Sequence, residues 1–163
     1  MQIIDTIREH LDRAVGGTVG NLSEKIVQAC IANELRRSGI EVQEQVHIPV
    51  FQGERIIGYN RIDMVLHFEG KTIVLELKRL RQGLLQSPGK ARWRILSQAR
   101  SYAQCLQKIF PTNTEIVCFV VNVFNHEGRE SGEVHAVPFK NVHGKGLLSK
   151  RGRLLRNPSR LKY

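Results

Sequence analysis

The chain is expected to fold as an α/β domain in which helices flank a mixed β-sheet, and three observations predict this. Residues 61–78, RIDMVLHFEGKTIVLELK, read as two strands joined at Glu69-Gly70, because apolar residues alternate along both arms and Ile, Val and Leu dominate. Residues 115–124, EIVCFVVNVF, are almost continuously apolar, the pattern of a central strand covered on both faces. Three further segments carry apolar residues at helical spacing, two before these strands and one between them. Helices placed on both sides of strands in this way give a layered α/β arrangement.

The first helix, residues 2–15, sets Ile3, Ile4, Ile7, Leu11 and Ala14 on one side, and Gly16-Gly17 ends it. The second spans 21–38, with Asn21 or Ser23 as its cap and Gly39 closing it. Glu24 falls in its first turn, where the helix dipole favours a carboxylate whether or not it has another task. Residues 41–51 alternate Val42, Val46, Ile48 and Val50 with polar residues. A turn at Gln52-Gly53 then leads through residues 55–58 into the hairpin. Residues 79–91 hold Gly83, Pro88 and Gly89 and show no period, so a mobile basic loop is expected. The third helix, 91–110, carries Leu96, Ala99, Tyr102, Ala103, Leu106 and Ile109 and stops at Pro111. After the apolar strand, NHEGRESG turns the chain into a short strand at 133–137. The expected organisation is one domain over 1–139 and a basic tail over 140–163.

A length of 163 residues with 41% hydrophobic and 25% charged side chains suits one globular domain with a real core. No apolar run approaches the length that spans a bilayer. The amphipathic, acid-containing N-terminus is neither a signal nor a transit peptide. Cys30, Cys105 and Cys118 show no CxxC spacing, so buried free thiols in a reducing intracellular compartment are expected, rather than zinc or disulfides.

The net charge is +10, and its placement is uneven. Eight Lys or Arg and no acid lie within 140–163, and six more within 78–94, again without an acid. Eleven of the 25 basic residues are left to face all 15 acids elsewhere. Such clustering is the footprint of a polyanionic partner, although a solubility tail or localisation signal also explains the end segment.

If Glu69-Gly70 is a two-residue turn, residues facing each other across the hairpin have numbers summing to about 139. Asp63 then faces Glu76, and Arg61 faces Lys78. One face carries Arg61, Asp63, Val65 and His67 with Thr72, Val74, Glu76 and Lys78. The other carries Ile62, Met64, Leu66 and Phe68 with Ile73, Leu75 and Leu77. Cross-strand charge pairing alone would account for this cluster. Its functional reading is phosphodiester cleavage assisted by Mg²⁺, with Mn²⁺ as a substitute. Asp63 and Glu76 are the carboxylate ligands and the Leu77 carbonyl an added one. Lys78 orients water or stabilises negative charge on the phosphate. Arg79, Arg81, Lys90, Arg92 and Arg94 track a nucleic-acid backbone, joined by Lys150, Arg151 and Arg153 of the tail. Arg61 either pairs with Glu76 or contacts phosphate. Trp93 stacks on a base or anchors packing.

The D-x12-E-x-K set of Asp63, Glu76 and Lys78 resembles the core of the PD-(D/E)XK nuclease superfamily. LSEKIVQACIANELRRSGIEVQEQVHIPV, GYNRIDMVL and IVLELK are similar to the GxxExxxR group within it, and SQARSYAQCL resembles that group's Q-x3-Y-L helix. Gly20 stands one residue further from Glu24 than the group's pattern has it, and Ala103 follows Tyr102 where Leu is usual. The resemblance implies a restriction-endonuclease-like core with a divalent-metal site at the hairpin. It also implies that Glu24 is a third acidic metal ligand, as against a charge favoured by the helix N-terminus, and that Gln98 is an active-site residue, and it carries over Gln45 and Tyr102. A Mg²⁺-dependent nuclease is thus the expected function, with DNA placed ahead of RNA as substrate. Paired cuts would call for a homodimer. The alternative is a binding module that keeps the fold without cutting.

Overall fold

The computed structural model describes residues 3–110 and 114–140. Its elements are α1 (Ile3–Val15), α2 (Glu24–Arg37), β1 (Glu41–Gln52), β2 (Arg55–Phe68), β3 (Lys71–Lys78), α3 (Lys90–Ile109), β4 (Glu115–His126) and β5 (Arg129–Ala136). Five strands form one mixed sheet in the order β1-β2-β3-β4-β5. β3 and β4 run parallel, joined by α3 as the crossover, and every other neighbouring pair is antiparallel.

The helices form where their apolar periodicity allows it. Ser23 caps α2, its hydroxyl accepting the Ile26 N–H at 3.3 Å. Gly39, at φ +80°, supplies the left-handed residue that ends the helix. α1 and α2 cover one face of the sheet, burying Ile7, Leu11, Val27, Ile31 and Leu35 against Leu66, Ile73, Leu75, Leu77 and Val121. α3 covers the other, burying Ala99, Tyr102, Ala103 and Leu106 against Val65, Val74, Cys118 and Val120. β4 contributes to both layers, as its continuous apolar run predicts.

The hairpin keeps its expected register for five pairs, from Phe68↔Lys71 to Met64↔Leu75. It then opens. β2 is one 14-residue strand that continues past this point with β1 alone, so Arg61 pairs with His47 and does not face Lys78. Alternation is also reset there. Met64 and Leu66 belong to the α1/α2 side, whereas Ile62 joins Val65 and Val74 on the α3 side, together with Val46 and Ile48. The cause lies in β1. Gln45 takes φ +51°, and the Gln45–Asp63 pair is missing from the ladder, which is irregular again between Val50 and Phe51. The beyond-the-fork arm of β1 and β2 leaves Ile56 and Ile57 exposed near its turn.

Residues 79–89 are anchored, contrary to the mobile loop that Gly and Pro predict. Leu85 is buried, Leu80 and Leu84 pack against the α3-side core, and the Gln86 N–H donates to the Gly83 carbonyl at 3.1 Å. β5 starts at Arg129, four residues before the expected strand, because His126 and Arg129 already pair. The three cysteines are free, but only Cys118 is fully buried. Among the described residues no helix is long and apolar enough to cross a membrane. Pro111 and the tail residues Lys150, Arg151 and Arg153 lie outside the described residues.

Candidate active site

The site occupies the fork where β2 leaves β3. Separating strands strands backbone donors that a ladder would have used. Asp63 fills one such gap, its Oδ2 accepting the Leu77 N–H at 2.9 Å. The residue at the fork thus does the work of a backbone carbonyl with its side chain. Gln28 on α2 secures the same point from above. Its Nε2 donates to the Asp63 carbonyl at 3.2 Å and to Glu44 Oε2 at 3.4 Å, and its Oε1 accepts from Gln45 Nε2 at 2.7 Å. The strained backbone at Gln45 is therefore held by an amide pair, which is where a costly φ needs support.

Glu76 lies one position beyond the last β2–β3 pair, on the α3 side of the sheet, and is only 2% exposed. Its Oε1 accepts from Lys78 Nζ at 2.6 Å, while Oε2 is buried with no hydrogen-bond partner. Burial first, and then the neighbouring Asp63 charge, push its pKa up to about 7, although Lys78 pulls the other way. Lys78 also moves upward. Burial would lower it, but the hydrogen bond and charge of Glu76, followed by Asp63 and Glu24, outweigh that cost. The lysine therefore stays cationic at neutral pH.

The remaining residues arrange themselves around this pair. Glu24 stands exposed at the first position of α2, in an open groove that it shares with Lys25, Gln28, Gln45, Arg61 and Asp63. From α3, Gln98 Nε2 donates to Tyr102 Oη at 2.6 Å, one helical turn apart. Burial raises the Tyr102 hydroxyl pKa, and the charges of Glu76, Lys78 and Asp63 all reach it. The fold thus gathers Asp63, Glu76, Lys78, Glu24, Arg61, Gln98 and Tyr102 around one fork. Among the described residues no group of three His, Cys, Asp or Glu side chains is arranged to hold a metal by itself.

The basic residues divide. Arg81, Lys90, Arg92 and Arg94 are exposed. Arg79 is turned inward, donating to both carboxylate oxygens of Glu130 at 3.1 and 3.2 Å and to Asn21 at 2.5 Å. That clamp ties the exit of β3 to β5 and to the approach of α2. A second tie is the fully buried Asn122, level with Lys78 on β4. Asn122 accepts the Leu80 N–H at 2.8 Å and donates to Glu133 at 2.9 Å, and Glu133 in turn accepts from Gln86 at 3.0 Å. Sequence reasoning passed over Asn122, Gln28 and Glu130. A signal existed for the first two: Asn122 interrupts an apolar run, and Gln28 sits four residues after Glu24 on one helix face.

No curated protein matches the chain. The crystal structure of SSO0001 is similar at a TM-score of 0.42 and 16% sequence identity, covering 72% of this chain and 52% of that one. The chain therefore spans about half the length of that protein. A family model matches residues 6–87, a stretch that runs from α1 through the hairpin carrying Asp63, Glu76 and Lys78. By that match the chain belongs to the PD-(D/E)XK nuclease superfamily.

Proposed function

We propose that the protein is a divalent-metal-dependent nuclease that hydrolyses phosphodiester bonds, with DNA as its substrate, in the GxxExxxR group of its superfamily. The observation that carries this reading is Glu76. A buried carboxylate with one oxygen left without a partner, next to a second carboxylate, is costly unless a proton or a cation satisfies it, and a divalent cation answers both carboxylates at once. Asp63 and Glu76 offer the hard oxygen donors that Mg²⁺ prefers and Mn²⁺ accepts, with the Leu77 carbonyl close by in sequence and Glu24 as further support. Asp63 and Glu76 would hold such an ion, which would supply charge neutralisation at the scissile phosphate and a more acidic water.

The other steps belong to side chains of the chain. Lys78, held cationic, places a positive charge where negative charge grows on the phosphate. Its short bond to Glu76 fixes its position beforehand. The Gln98–Tyr102 pair borders the site from the α3 side, within reach of the Glu76, Lys78 and Asp63 charges. Exposed Arg61, Arg81, Lys90, Arg92 and Arg94 guide the polyanion, whereas Arg79 holds the scaffold. The segment 140–163 acts as an added basic arm on the domain of residues 1–139, and the active form is a homodimer when both strands are cut.

The test is incubation of single-stranded, duplex and four-way-junction DNA with Mg²⁺ or Mn²⁺, wild type beside Glu76→Ala. Cleavage by the wild type alone is expected. Undiminished Mg²⁺-dependent cleavage by Glu76→Ala would sink the proposal. Salt-sensitive binding of every substrate with no turnover would instead establish the non-cleaving module.

A further inference from the structure

Trp93 is the single tryptophan of the chain, and it stands 72% exposed on the first turn of α3. The packing-anchor reading of this residue therefore fails. Exposing an indole forgoes one of the largest apolar contributions a side chain can make to folding. Exposed Lys90, Arg92 and Arg94 flank it, and exposed Arg81 precedes it on the loop. Among the described residues none of these four cations makes a side-chain hydrogen bond or ion pair. No acid occurs in the sequence between Glu76 and Glu115, so none of these four has an acidic neighbour along the chain.

Lys90, Trp93 and Arg94 are spaced i, i+3 and i+4, which puts them on one side of α3. Arg94 lies one turn before Gln98, whose amide bonds Tyr102 beside the Glu76–Lys78 pair. At about 1.5 Å and 100° per residue, Trp93 and Gln98 are ~8 Å apart along the helix axis and roughly 140° apart around it, so the indole stands on a different side of α3 from Gln98. Cations alone would serve a fully paired duplex, whose base faces are hidden in the stack. An exposed indole among them gains from a base face that is free.

We propose that Trp93, with Lys90, Arg92 and Arg94, is a stacking platform for an unpaired base of the bound substrate, outside the fork itself. The substrates this assigns are single strands and duplexes with an unpaired segment, such as a gap, flap or junction. The inference rests on the nuclease reading of the site but uses residues outside the Asp63–Glu76–Lys78 set.

Because Trp93 is the only indole, its fluorescence reports the contact directly. The full-length protein is titrated with a single-stranded oligothymidylate of about 20 nucleotides and with a duplex of equal length, following tryptophan emission and, independently, the anisotropy of end-labelled nucleic acid. The single strand is expected to quench emission as it binds, while the duplex binds with emission little changed. Trp93→Ala is expected to weaken single-strand binding roughly 5- to 100-fold and duplex binding by less than about twofold, with Trp93→Phe recovering much of the loss. Single-strand binding that leaves emission unchanged, or equal weakening of both substrates, overturns the platform and leaves the nuclease reading standing. Absence of binding to either nucleic acid by wild-type protein overturns both.

Discussion

Glu130 and Glu76 are both 2% exposed, and each faces a cation from the same short stretch of chain. They are otherwise opposites. Glu130 is fully engaged: Arg79 grips both oxygens, and the Leu22 N–H adds a third bond at 2.8 Å. Burial alone would raise its pKa, but the Arg79 bonds and charge and the Leu22 N–H overcome this and leave it below the usual carboxylate range. Glu76 has one oxygen bonded to Lys78 and the other bare, beside a second acid, and its pKa rises to about 7. A chain that can satisfy a buried carboxylate as completely as Glu130 leaves Glu76 short of partners. One glutamate is satisfied by the fold, and the other is left one partner short.

The contrast breaks first at Glu130. Glu130→Ala strands the Arg79 guanidinium and should cost about 3–5 kcal/mol of stability, a large part of what a domain possesses, measured by urea unfolding. Cleavage per folded molecule should survive. At Glu76 the consequences invert: Glu76→Gln should lower cleavage by roughly 10²–10³-fold in single-turnover assays while the melting temperature holds or rises.

Titration sharpens the same comparison. The folded Glu76 carboxyl binds its proton more tightly than the unfolded one, so folding takes up a proton between pH 4.5 and about 7. Its contribution to stability is full below that window and lost as pH rises through it, by an amount on the order of 3 kcal/mol. Chemical denaturation across this range should show the decline in metal-free wild type and its absence in Glu76→Gln. Metal binding must expel the same proton, so Mg²⁺ affinity by calorimetry should climb as pH rises toward 7 and release heat that scales with buffer ionisation. The smallest effect belongs to Gln28→Ala, which removes the support for Gln45 and the Asp63 carbonyl. A loss of about 1–2 kcal/mol is expected, with cleavage reduced more than that instability alone explains.

Local pattern carried much of this to the reader of the sequence. Alternation around Glu69-Gly70 predicts the register that the ladder adopts, and the apolar run predicts a strand buried on both faces. The family signature around Asp63, Glu76 and Lys78 was also legible, since these positions sit close together along the chain. What failed did so for physical reasons. Parity counting places Ile62 with Met64, but a single left-handed residue at Gln45, on another strand, resets the alternation at Asp63. Arg79 reads as one more cation in a basic stretch because its partner lies 51 residues further on. The loop reads as mobile because its Gly and Pro are visible, while the buried berth for Leu85 is made by a helix and strands remote in sequence.

The parallel pairing of β3 with β4 has a kinetic corollary. β2 and β3 meet through a two-residue turn, whereas the first β3–β4 pair, Lys71↔Glu115, joins residues 44 positions apart. Closing the longer loop carries the greater entropic cost, and α3 completes its packing only when β4 joins Val65 and Val74 beneath it. During folding the acidic hairpin is therefore expected to form before the α3 wall that desolvates it. Glu76 is hydrated wherever that wall is absent, so its raised proton affinity is a product of α3 docking and not of the hairpin itself.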